Sequence, residues 1–167
     1  MLLAGTFAFI ALAVYAALSD LETRRVSNRL NGIIFASGLL FQLPVAGSPG
    51  LATGLAGTAV GLLILIVPFS RSWVGGGDVK FLAAAGAWLG PLSVFLAALG
   101  GLALGGVWAV ALMARRPALR REAVGNLKLA AVSLSAPTVR RRDNAEVIPL
   151  VVPLAIAGVL AFLGASL

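Results

Sequence analysis

The chain has no cysteine and no histidine. Disulfides, zinc sites, thiol nucleophiles and Ser-His-Asp triads are therefore excluded. Charge is scarce as well. Only 11% of the 167 residues are charged and 60% are hydrophobic, with a mean hydropathy of +1.02. A soluble domain has about a quarter of its residues charged. So much apolar side chain cannot be hidden in one water-soluble core, and a bilayer is its natural solvent. The net charge of +7 would suit a nucleic-acid binder. The basic residues border apolar runs instead of forming a folded face, so they report topology first. No nucleic-acid partner is expected. No positive charge precedes the first apolar run, so the N-terminus reads as a retained span and not as a cleaved leader.

A helical crossing needs roughly 20 apolar residues. Residues 1–19 carry no charge and form the first span. Residues 30–70 are also free of charge, which is long enough for two spans. Pro44, Gly47, Pro49 and Gly50 punctuate that run, so the spans are placed near 31–46 and 51–69. Residues 81–114 are divided in the same way by Gly90-Pro91, and 147–167 form the last span. The expected fold is all-α and polytopic, with six transmembrane helices in a single domain over 1–167. All 13 Lys and Arg fall in 24–29, 71–80 and 115–142, after spans one, three and five. The positive-inside rule makes that side cytoplasmic and puts both termini outside. Within 115–146, apolar residues recur at Leu119, Val124, Leu127, Ala131 and Leu134, with Arg120, Arg121 and Lys128 between them. This reads as a cytoplasmic amphipathic helix or as a solvated basic loop.

Ionisable groups at membrane depth are costly and usually functional. The chain has six acids. Glu122, Asp143 and Glu146 have cationic neighbours, and a structural role suffices for them. Asp20, Glu22 and Asp78 each stand at the cytoplasmic end of a span. Asp78 follows Gly75-Gly76-Gly77 and opens an apolar helix, and alone that pattern reads equally well as a helix cap. Pairing strengthens the functional reading. If spans one and four pack together, Asp20 and Asp78 meet in a partly dehydrated pocket and share a proton, as aspartic proteases arrange. Such a pair needs no metal or cofactor. The competing reading is an ion-coupled transporter or channel component in which the two acids bind or relay a cation or proton. Both acids lie at one face, which argues against a path across the membrane.

These residues resemble a known family. Asp20, followed by Arg24-Arg25-Val26-Ser27-Asn28-Arg29-Leu30, looks like the first signature of the type IV prepilin peptidases. Gly75-Gly76-Gly77-Asp78-Val79-Lys80-Phe81, continuing to Gly90, looks like the second. The family is a branch of the Gly-x-Gly-Asp intramembrane aspartyl proteases. The resemblance implies that Asp20 and Asp78 are catalytic. It also implies a prepilin substrate with a basic leader and an apolar helix, cut at the cytoplasmic face of a prokaryotic inner membrane. It covers residues 15–90 well. The C-terminal Ile148-Pro149-Leu150-Val151 departs from the family's last-span pattern at Leu150 and Val151, which makes that span a poor predictor of site residues. The chain opens directly in a span and has no cysteine, so it is expected to be the short peptidase-only form, resembling tight-adherence (Flp-type) or archaeal enzymes. The zinc-holding N-methyltransferase domain is not expected.

Other residues join the site as shaping groups. Gly75 and Gly77 permit close approach around Asp78. Glu22 could contact the basic leader, although an exposed salt bridge to Arg25 or Arg29 is the plainer reading. Lys80 could orient a carboxylate, but snorkelling to headgroups is preferred. Asn28 could hydrogen-bond near the dyad, but capping the second span is preferred. Trp88 and Trp108 read as packing or interfacial anchors, and the glycines at 54, 57, 61, 100, 101 and 105 as close-packing positions.

Overall fold

The computed structural model describes residues 2–23, 26–71, 74–115 and 150–166. They form four helices: α1 (Leu2–Thr23), α2 (Asn28–Ser70), α3 (Gly76–Arg115) and α4 (Val151–Ser166). The basic segment read as amphipathic lies outside the described residues. Three helical stretches are long and apolar enough to cross a membrane: Leu3–Thr23, Asn28–Ser70 and Gly76–Leu112. Val151–Ala165 is a shorter apolar helix.

Two of these helices are too long to remain straight. The 43 residues of α2 would extend about 65 Å at 1.5 Å per residue, roughly twice the hydrocarbon thickness. α3, with 40 residues, would reach about 60 Å. Each is broken at one glycine. Gly47 has φ 62° and ψ −145°, and Gly90 has φ 74° and ψ 177°. Only glycine enters that region cheaply, because a Cβ would clash there. Pro91 follows Gly90 directly, at a first helical position where a missing N–H costs nothing. The breaks fall within the Pro44–Gly50 and Gly90-Pro91 punctuation of the sequence.

The chain folds back at both breaks. Across the first, a Cβ on Gly54 would touch Leu39, and one on Gly50 would touch the carbonyl of Gln42. The second half of α2 runs antiparallel to the first half of α3: Gly61 meets Leu82, Gly57 meets Gly86, and Gly54 meets Ala87. The second half of α3 runs antiparallel to α4, with Gly101 against Leu154 and Gly105 against Leu150. Six helical segments thus alternate in direction among the described residues. Asp20, Asn28, Gly76 and Val151 gather at one end, and Gly47 and Gly90 lie at the other.

The interior combines small residues at the helix crossings, large apolar side chains such as Ile34, Leu65, Phe81, Leu82 and Leu154, and one aromatic cluster. Phe9, Phe41, Trp88 and Phe162 have ring centroids 5.0–6.4 Å apart, which ties α1, α2, α3 and α4 together. Trp88 is 4% exposed. Its Nε1 donates to the carbonyl of Ile34 at 2.9 Å, which satisfies the one polar atom of the ring. Its own carbonyl, two residues before the break, accepts from Nε2 of Gln42 at 3.4 Å. Trp88 is therefore a packing residue, and Trp108 is 38% exposed on the exterior. The outside is lined with large apolar side chains, among them Leu3, Phe7, Leu40, Leu63, Leu92 and Val107. Large apolar residues outside and glycines at the helix crossings suit helices packed in lipid.

The helices begin before the span limits expected near 31 and 81, because their first turns carry polar residues. α1 likewise runs past residue 19 to Thr23, so Asp20 lies within its last turns.

Gly57→Val is expected to destabilise the fold by about 3 kcal/mol. A Cβ there would meet the carbonyl oxygen of Gly86 and lie 2.8 Å from the Cα of Gly90. Gly106→Ala meets nothing within 4 Å and should hold or raise the unfolding temperature. Thermal unfolding of both variants in detergent checks this.

Candidate active site

Asp20 is carried to the gathered ends by α1 and is only 7% exposed. α4 starts beside it. The first N–H groups of a helix have no partner within the helix. Leu150, which precedes α4, has no side-chain acceptor to offer them. Its carbonyl accepts from the N–H of Leu154 at 3.1 Å, and Pro153 has no N–H. The N–H of Val151 donates to the Asp20 carboxyl group instead. An acid of the first helix thus caps the last one. The other oxygen of Asp20, Oδ2, is buried and accepts no hydrogen bond among the described residues.

Asp78 is half-buried in the first turn of α3. The N–H of Gly75 donates to its Oδ2 at 3.0 Å. The carbonyl of Gly75 accepts in turn from the N–H of Asp78 at 3.2 Å and of Val79 at 3.4 Å. A residue three positions into a helix that reaches back to the cap N–H makes half of a capping box. A Cβ on Gly75 would stand 3.0 Å from that Oδ2, tight against the bond. Gly77 lies close to the backbone of Val26, since a Cβ on it would be 3.8 Å from the Val26 nitrogen. The three glycines therefore let the turn before α3 lie against the residues that precede α2. The carboxyl groups of Asp20 and Asp78 are within electrostatic reach of each other.

One expectation is corrected here. Asn28 does not cap α2. Ser27 does, its Oγ accepting from the N–H of Leu30 at 3.1 Å. Lys80 is exposed, and its Nζ donates to Oδ1 of Asn28 at 2.9 Å. Ser27 has the shorter side chain and an extended backbone at φ −65°, ψ 146°, which suits a cap. Asn28 is then free to join the start of α2 to the start of α3. Glu22 is exposed. It makes no ion pair among the described residues, which leave out Arg25. Asp20, Asp78, Lys80, Asn28, Gly75 and Gly77 come together at this end, and Glu22 stays at its rim on the last turn of α1. Among the described residues no group of three His, Cys, Asp or Glu side chains is assembled that could hold a metal ion.

Sequence reasoning missed Val151, having set the start of the last span aside. The contact is made by backbone, which carries no residue-type signature. The available hint was indirect: an apolar Leu150 where a capping side chain would stand, and Pro153 lacking a donor two residues on.

The two carboxyl groups, one with a free buried oxygen, sit at the mouth of an apolar bundle. They can exchange protons with a water molecule and with a bound polar substrate. Comparison with known proteins bears on which substrate. The family model described as the type IV leader peptidase family matches residues 7–110, more than half of the chain. No curated protein and no solved structure gives a significant match.

The capping role of Asp20 is separable from its chemistry. Asp20→Asn keeps an oxygen acceptor for Val151 and should unfold within about 1 kcal/mol of the parent. Asp20→Leu removes the cap and should cost about 1–2 kcal/mol. Thermal unfolding in detergent distinguishes the two.

Proposed function

The chain belongs to the type IV leader peptidase family, and on that premise we propose that it is an intramembrane aspartyl endopeptidase. Its substrates are type IV prepilin-like proteins, and it removes their basic leader at the cytoplasmic face of the membrane. Asp20 and Asp78 are its catalytic pair. One observation carries the reading: two acids 58 positions apart, 20 and 78, stand within electrostatic reach at one end of an apolar bundle. The cost of dehydrating two carboxyl groups is hard to explain by packing alone.

The chemistry follows from the pair. One carboxylate takes a proton from a water molecule lodged between the two acids. The water oxygen attacks the carbonyl carbon of the scissile peptide bond. The partner acid, protonated at that moment, donates to the developing oxyanion. The tetrahedral intermediate then collapses. Its C–N bond breaks, the leaving nitrogen takes a proton from the dyad, and a carboxyl end and a new amino end result. The N–H groups of Gly75 and Val151 hold the two acids in place, and the buried Oδ2 of Asp20 is left for water and substrate.

The topology fits this use. With six crossings, the basic residues of 24–29, 71–80 and 115–142 follow spans one, three and five, and the positive-inside rule makes that side cytoplasmic. The two segments that start at the site are short. Residues 76–89 rise about 21 Å and the 16 residues of α4 about 24 Å, against a hydrocarbon core of about 30 Å. In a centred bundle their starts lie beneath the membrane surface, where a shallow polar well admits water and the leader end of a substrate. A transporter would need further acids across the bundle. The far end, around Gly47 and Gly90, has none.

Co-expression with a prepilin tests the reading. Asp20→Asn and Asp78→Asn are each expected to lower processing by at least about a hundredfold, with unchanged amounts of the protein in the membrane. Substrate mobility on a gel reads the result. Processing that continues in either variant removes that residue from the chemistry.

A further inference from the structure

Asn31 is the buried polar side chain that neither the fold nor the dyad accounts for. It is 6% exposed. Both its Nδ2 and its Oδ1 are buried and neither has a hydrogen-bond partner among the described residues. Its backbone is ordinary, with the N–H donating to the carbonyl of Ser27 at 3.1 Å. A carboxamide with both ends dehydrated and unpaired destabilises a fold, and a leucine of similar size would not.

The position of Asn31 is fixed by its neighbours on the same stripe of α2. Asn28, three residues before, bonds Lys80 of α3. Ile34, three residues after, bonds Trp88 of α3. Residues three apart share a helix face. Asn31 therefore faces α3 between Lys80 and Trp88, deeper in the bundle than Asp78. Its Cα lies deeper than Asp78 by roughly 3–7 Å, from the helical rise and the packing of Gly38 on Ala87. α2 starts at the site end, and helical side chains tilt toward the start of their helix. The carboxamide is thus inclined back toward the two acids.

We propose that Asn31 is a substrate-positioning residue whose carboxamide binds the main chain of the substrate just beyond the scissile bond. This rests on the peptidase reading above. A peptide bond inside a helix is enclosed by its neighbours and hydrogen-bonded, so the segment to be cut must open. An opened segment exposes a donor and an acceptor at each residue, and a carboxamide supplies one of each in return. The leader end of the substrate lies at the cytoplasmic surface and its apolar part runs inward. The groups that pass Asn31 therefore follow the scissile bond. At about 3.3 Å per extended residue, a depth of this order selects one of the first three residues after the cut. The contact uses backbone alone, so it serves substrates of differing sequence.

Asn31→Leu tests this. It is expected to lower kcat/KM for prepilin cleavage by about tenfold, mainly through KM, with an unfolding temperature equal to the parent's or higher. Unchanged cleavage overturns the proposal. So does a fall in unfolding temperature, which would mean that the carboxamide is bonded within the resting fold. A second experiment does not depend on that variant. The chain has no cysteine, so Asn31→Cys in an Asp78→Asn background carries a single thiol. Disulfide capture is expected with a prepilin cysteine at one of the first three residues after the cleavage site. Capture only by leader positions, or by none, overturns the proposal. Loss of cleavage in Asp20→Asn and Asp78→Asn alongside normal cleavage in Asn31→Leu would sink this inference and leave the peptidase reading standing.

Discussion

A carboxyl group in hydrocarbon must find its donors inside the protein, and here both find them in backbone N–H groups at the starts of helices. Gly75 donates to Asp78 and Val151 donates to Asp20. These groups would be orphans in any helix. In water they could go to solvent, but in lipid an unsatisfied one costs several kcal/mol. Acid and helix start thus solve the same problem for each other. The consequence is architectural. Asp20 cannot keep its donor unless α4 begins beside the end of α1, so the last helix is tied to the first although the chain between them is long. The helix-start dipoles also point their positive ends at the acids.

That arrangement requires helices closer together than large side chains allow. The second half of α2 lies on the first half of α3 through Gly54, Gly57 and Gly61, and Gly86 faces Gly57. With no apolar driving force between helices in lipid, close backbone contact supplies the dispersion energy that bulky cores supply in water. The aromatic cluster of Phe9, Phe41, Trp88 and Phe162 then fills the wider space farther from the site. Close packing beside the two acids fixes the helices that carry them, and the two glycine breaks set where each long helix returns. Position at the site is therefore decided by contacts remote from it.

Much of this was legible in the sequence for a definite reason. Charge-free runs of residues, and glycine with proline inside them, report directly on the cost of polar groups in lipid and on φ. The breaks at Gly47 and Gly90 accordingly fall where punctuation marks them. Asp20 and Asp78 stood out because acids are so few. Finer assignments failed where two residues compete for one role. Ser27 and Asn28 are both good caps by type. Which one serves depends on whether Lys80 of another helix claims Asn28, and that is tertiary information. Val151 was invisible because it acts through its backbone. Asn31 was passed over because asparagine near a helix start is ordinary, and only burial without partners sets it apart.

The same reasoning bears on why the acids sit at helix starts and not in mid-helix. A mid-helix backbone has its donors committed, so an acid there would need side-chain partners. The described residues of this bundle have few polar side chains to spare, and no histidine at all. At a helix start the donors come with the fold and hold each acid, and among the described residues no cation is paired with either one. Lys80, the nearest described candidate in sequence, is committed to Asn28 and lies on the exposed side. In the proposed chemistry, a pair that passes a proton back and forth is better served by fixed neutral donors than by a salt bridge, which would hold one protonation state against the other. The shortage of charge noted at the outset is thus compatible with acid–base chemistry, because the backbone supplies what the side chains lack.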